Sequence, residues 1–187
     1  MSKAVMLSIR PKWVEKIASG EKTIEVRKTR PKLETPFKCY IYCTSGYLSY
    51  KCPNGMICHC CGGREVIGEF ICDRIYKIDK DSIDFLFKAG GLSVYKQAAE
   101  EKCGLRVAMT DDELHGYLGH CQGYGWHISD LRIYDTPKEL SEFTGLRDTK
   151  FGAAPYEIKR PPQSWCYVEE EWGGDIRGND YVHRRTI

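Results

Sequence analysis

Long apolar runs are missing from this 187-residue chain, and so are the short motifs that mark several large enzyme classes. No stretch approaches the ~20 apolar residues that a membrane-spanning helix needs. The first apolar run, residues 4–7, falls short of the about 7–15 residues of a signal-peptide core. Both observations point to the cytoplasm and away from a membrane. There is no G-x-x-x-x-G-K-[ST] phosphate loop, no G-x-S-x-G elbow and no H-E-x-x-H helix, which excludes P-loop, hydrolase-elbow and zincin chemistry. Internal repeats and low-complexity segments are absent too.

What is present is ordinary in bulk and uneven in detail. Apolar residues make up 42% and charged residues 29%, as in soluble globular domains. The length suits one domain with insertions, 1–187, around a single core. Net charge is only +2, yet residues 1–50 hold ten Lys/Arg against four Asp/Glu. A basic first quarter suits a phosphate-bearing partner, and a loop kept soluble by its lysines is the plainer alternative. Ten cysteines in a reducing compartment read as free thiols or metal ligands rather than disulfides. Cys52, Cys58, Cys60 and Cys61 crowd a hairpin loop at about 50–63, with His59 among them. Four thiolates suit tetrahedral zinc, but C-x5-C-x-C-C is not the spacing of a standard knuckle. The loop is either a metal-free hairpin tip or a structural zinc site, and nothing else in the chain calls for a cofactor.

Residues 4–30 organise the rest. Val5, Leu7 and Ile9 alternate as one buried strand face. Pro11 and Gly20 bracket a helix over 11–19, with Trp13 and Ile17 on one side. In the next strand Ile24 and Val26 face a core, while Thr23, Glu25 and Arg27 share the opposite face and Lys22 stands at the turn before them.

The run Gly20-Glu21-Lys22-Thr23-Ile24-Glu25-Val26-Arg27 resembles the G-x-K-x-x-E-x-R signature of the ASCH domain family. Val66-Ile67-Gly68-Glu69-Phe70 and the stretch from Gly125-Trp126-His127-Ile128 to Tyr134 are similar to the same family, in the same order. The resemblance implies an α+β, PUA-like, mixed and mainly antiparallel β-barrel with flanking and inserted helices. It also implies RNA, a nucleotide or a nucleoside as partner, held by Arg10, Trp13, Lys22, Thr23, Glu25, Arg27 and His127. Some family members hydrolyse N4-acetylcytidine with a lysine matching Lys22, a glutamate near Glu69 and a threonine where this chain has Glu25. Others are ribonucleases. An enzyme built on this chain would therefore use Lys22, Glu25 and Glu69 in acid–base roles. A third reading is an ion-pair lattice of Lys22, Glu25 and Arg27 that only ties strand to turn.

The remaining chain reads as further strands and helices. Strands are expected over 37–44, 65–78, 123–135 with a bulge near Ser129-Asp130, and 164–168. Glycine at 68 suggests close backbone approach. A helical insertion is expected over about 79–120, its last helix opened by a Thr110–Glu113 capping box. A short helix over 137–143, a loop over 144–154 and a frayed tail from about 170 complete the reading.

Overall fold

The computed structural model describes residues 2–51, 57–78, 106–119 and 122–170, with backbone only at 46–51, 57–62 and 111. The first helices of the expected insertion and the tail lie outside these residues.

The alternation Val5, Leu7, Ile9 does make a strand, β1 (Lys3–Ile9), but both its faces are buried. The reason is its place inside a seven-stranded sheet, in the order β11 (Gly152–Glu157), β10 (Thr144–Thr149), β12 (Trp165–Glu169), β1, β3 (Phe37–Cys43), β6 (Glu65–Cys72) and β9 (Ser129–Glu139). β1 runs parallel to β3 (Phe37–Cys43), and the other pairings in that sheet are antiparallel. Parallel neighbours need a crossover, and this one includes α1 (Pro11–Ala18). Val14 and Ile17 of α1 pack on one face of the sheet with Val5, Leu7, Ile9, Cys39, Ile41, Cys43, Phe70 and Cys72. Ala4, Met6, Tyr40, Tyr42, Val66 and Val168 fill the opposite face beneath Phe143 and Ile158. The cysteines at 39, 43 and 72 are thus buried core residues, as their strand positions suggest.

A second sheet of three strands, β2-β8-β7, carries the signature. It comprises β2 (Ile24–Arg27), β7 (Ile75–Ile78) and β8 (Gly123–His127). Its inner face joins the first core through Trp126. Its outer face, with Ile24, Val26 and Ile78, packs on Val107 and on Leu114 and Leu118 of α2 (Asp111–Leu118). Thr110 and Glu113 form the expected reciprocal capping box.

Several expectations are corrected. Among the described residues the strands do not close into a barrel: β11 and β9 remain edges of one sheet, β2 and β7 of the other. The single strand expected over 65–78 is two, β6 (Glu65–Cys72) and β7, broken at Asp73-Arg74 where the chain changes sheets. The parity change after Ile128 has the same cause, since β8 and β9 (Ser129–Glu139) also lie in different sheets. Asp130, at φ 47°, sits at that corner. The Cys-rich loop is largely a two-stranded ribbon, β4 (Gly46–Lys51) with β5 (Ile57–Gly62). Residues 137–143 do not form the expected helix; pairing with β6 extends β9 to Glu139, and only a 3₁₀ turn follows (Leu140–Glu142). Seven residues cannot outweigh such pairing by helical propensity alone. The expected loop 144–154 is a hairpin of β10 (Thr144–Thr149) and β11 (Gly152–Glu157). β12 (Trp165–Glu169) is a central strand between β1 and β10 rather than a closing one. Gly68 answers to close approach: a Cβ there would stand 2.5 Å from the Arg132 carbonyl of β9.

Candidate functional site

The signature side chains form a buried ionic cluster on the inner face of β2. Gly20, at φ 78°, takes a left-handed conformation that suits glycine and turns the chain out of α1. The Lys22 amide then donates to Lys16 O at 2.8 Å. Lys22 is 2% exposed, Glu25 6% and Arg27 5%. Lys22 Nζ lies 3.5 Å from one Glu25 oxygen, and Arg27 Nη2 lies 3.0 Å from the other. Both cations also donate to main-chain carbonyls: Lys22 to Val107 O at 2.8 Å, Arg27 to Ser8 O at 2.9 Å and Ser164 O at 3.1 Å. Four chain segments therefore meet at three side chains. Burial pushes the Lys22 amine below its ordinary value; Glu25 opposes that shift, and Arg27 and Lys16 add to it.

With all three groups ionised the cluster carries one unbalanced positive charge. Two buried donors there have no hydrogen-bond partner among the described residues, Arg27 Nε and Trp126 Nε1. Trp126 is the register partner of Glu25, so its indole stands on the same inner face. The Trp165 ring is 6.2 Å from it, and Trp165 Nε1 is spent on Thr29 Oγ1 at 2.9 Å.

The strap of residues 106–110 covers Lys22. Thr23 and Ile24 amides donate to Arg106 O, and the Arg106 amide donates to Thr23 Oγ1 at 2.7 Å. The Arg106 guanidinium reaches Glu21 O and Gly20 O, and Lys16 Nζ reaches Ala108 O. Thr23 thus anchors the strap. Trp13 is half-buried, with Lys12, Lys16 and Lys22 ammonium groups 4.7, 5.7 and 5.2 Å from its ring centre. Arg10 is exposed at the N-terminus of α1.

Two expected members lie elsewhere. Glu69 pairs in register with Tyr40, which faces the core on the far side of the large sheet. Its carboxylate accepts from Tyr134 Oη at 2.7 Å and lies 3.9 Å from Lys38. His127 pairs in register with Ile24, on the outer face of β8, and its Nδ1 is 2.6 Å from Asp73 at the sheet-changing corner. The thiols of Cys52, Cys58, Cys60 and Cys61 lie outside the described side chains, so the zinc expectation does too. Among the described residues no group of three or more His, Cys, Asp or Glu is placed to hold a metal. Sequence reasoning missed the Ser8, Val107 and Ser164 carbonyls, which have no sequence signal, and took Trp126 as an apolar strand residue.

Residues 7–81 match the family model of the ASCH domain. The chain carries an ASCH domain. Its fold is similar to the crystal structure of ASCH from Zymomonas mobilis, with a TM-score of 0.55 at 18% identity over 89% of this chain and 88% of that one. A point mutant of the same Zymomonas mobilis protein gives 0.54 at 18% identity over 89% of each chain. At this identity the likeness is one of fold, a mixed α+β one. No curated protein sequence matches the chain. No helix among the described residues of this ASCH protein is long and apolar enough to cross a membrane.

Proposed function

We propose that this ASCH domain protein binds RNA or a nucleotide, with the Lys22–Glu25–Arg27 cluster as the recognition centre. The observation that carries the reading is the pair of unspent buried donors, Arg27 Nε and Trp126 Nε1, beside three charged groups with a net charge of +1. Buried donors are nearly always satisfied, and an uncompensated buried charge is costly. An anionic or carbonyl oxygen of a nucleotide answers both deficits. The basic first quarter, ten Lys/Arg against four Asp/Glu, supports a polyanion, and arginine's planar fork suits phosphate oxygens. For a ligand oxygen to take the place of Val107 O on Lys22, the 106–110 strap has to lift.

A second reading, chemistry on a modified nucleoside or on RNA, draws on one observation. Burial lowers the Lys22 pKa, which moves the amine toward general-base use. In that reading Lys22 and Glu25 do the acid–base work without Glu69, which faces the other side of the sheet.

The experiment is a thermal-shift screen against nucleosides, nucleotides and short RNAs at low and high salt, on the wild-type protein and Trp126→Phe. A ligand at ~100 times its Kd stabilises the fold by about 2.7 kcal/mol. The reading requires a salt-sensitive shift that Trp126→Phe diminishes. Equal shifts in both proteins, or none with any nucleic-acid ligand, would remove it.

A further inference from the structure

The hairpin β10–β11 ends in Thr149-Lys150-Phe151-Gly152, and Phe151 is 89% exposed, the one large apolar side chain so exposed among the described residues. The turn is built to present it. Thr149 Oγ1 donates to Gly152 O at 2.7 Å and accepts from the Phe151 amide at 3.2 Å. Gly152, at φ 109°, supplies a conformation open chiefly to glycine. Lys150 Nζ lies 4.9 Å from the ring centre.

The charges around the tip leave an excess of cations. Asp148 is paired with Lys3. Arg147 and Lys150 have no carboxylate partner among the described residues. An exposed aromatic ring among unbalanced cations is the pairing that stacks a base and holds its phosphates. A single ring is too small for a stable apolar protein interface, which needs roughly 1,000 Å².

We propose that this tip is a second contact for single-stranded RNA, with a base stacked on Phe151 and phosphates met by Arg147 and Lys150. The proposal rests on the nucleic-acid reading above and narrows it. The Lys3–Asp148 pair fixes the hairpin near the start of β1, whereas Arg27 grips Ser8 near its end. Five strand steps separate those points by about 17 Å at ~3.3 Å each. A ligand that touches both is an oligonucleotide and not a mononucleotide.

The test is fluorescence anisotropy of labelled single-stranded RNAs of about 4 and about 16 nucleotides, a range that single-stranded sites cover. The wild-type protein, Phe151→Ala and Phe151→Trp are compared. Phe151→Ala is expected to weaken the longer RNA roughly 5- to 150-fold, to leave the shorter one unchanged, and to leave the unfolding temperature unmoved because the ring is exposed. Phe151→Trp is expected to restore binding. Tight binding of the longer RNA that ignores Phe151→Ala would overturn the tip contact and leave the cluster reading standing. Failure of the wild-type protein to bind either RNA would overturn both. Phe151-dependent capture by anionic phospholipid vesicles, with RNA binding unaffected, would replace RNA with a membrane surface.

Discussion

Glu25→Gln is the most informative single change to the cluster. It removes the one negative charge between Lys22 Nζ at 3.5 Å and Arg27 Nη2 at 3.0 Å and keeps the side-chain volume. Both cations are nearly inaccessible, with side-chain exposures of 1% and 6%, so water cannot take over the lost role. Breaking a buried pair from one side costs about 3–5 kcal/mol, against a total stability of about 5–15 kcal/mol for a domain. At roughly 2–4 °C per kcal/mol for a chain of this size, the unfolding temperature should fall by about 6–20 °C. Urea unfolding followed by tryptophan fluorescence measures the same loss as a lower midpoint. Adding Lys22→Met removes one stranded cation, so the double variant should recover part of the loss through a coupling of about 0.5–3 kcal/mol. Some loss should persist, because Val107 O loses its donor. A Glu25→Gln midpoint within ~1 kcal/mol of wild type, the range of an exposed pair, would refute the buried-cluster reasoning.

Two further outcomes follow from packing and burial. Gly68→Ala should destabilise the protein by about 1–3 kcal/mol, because the new methyl meets the Arg132 carbonyl at 2.5 Å, a backbone atom that cannot swing aside; an unchanged unfolding midpoint would mean that β6 and β9 are not so close. Burial raises the thiol of Cys72 from 9.0 to about 12 and that of Cys166 to about 11, and lifts Cys39 well above its ordinary value. The unfolded chain then loses these protons first, so the stability they contribute is whole below pH ~9 and is lost as pH climbs toward the folded values. Lys22 works the other way, its lowered pKa adding stability as pH rises toward 10.5. The contribution of one thiol is isolated by difference: the stability margin of wild type over Cys72→Ala, from urea unfolding, should shrink between pH 9 and pH 12, and a constant margin would contradict it.

The parts of the fold that were legible in sequence are those fixed by local rules. Pro11 and Gly20 bracket α1, the Thr110–Glu113 box opens α2, and alternation marks β1, β3 and the core cysteines at 39, 43 and 72. Sheet membership was not legible. Residues 65–72 and 75–78 read as one strand because Asp73-Arg74 is a mild interruption, yet the chain changes sheets there. The hairpin over 144–157 hid because Leu146 is its only fully buried large side chain, so no alternation showed. At the site, the motif spacing placed Lys22, Glu25 and Arg27 together, and they are together. It could not show that both faces of β2 are buried, since an inner ionic face and a solvated one look alike in sequence. Nor could it show that Glu69 stands beyond the large sheet, because strand parity fixes a face only once the register with β3 is known.

The central claim, an oxygen-bearing nucleic-acid ligand at the cluster, is tested most directly by the indole N–H resonance of Trp126 in a ¹H–¹⁵N spectrum, assigned by its loss in Trp126→Phe. Titration with RNA or nucleotide should move the Trp126 Nε1–H and Arg27 Nε–H signals together, as two unspent donors gain an acceptor. Saturating ligand that shifts surface resonances but leaves both of these in place would put binding elsewhere and return the cluster to a purely structural tie.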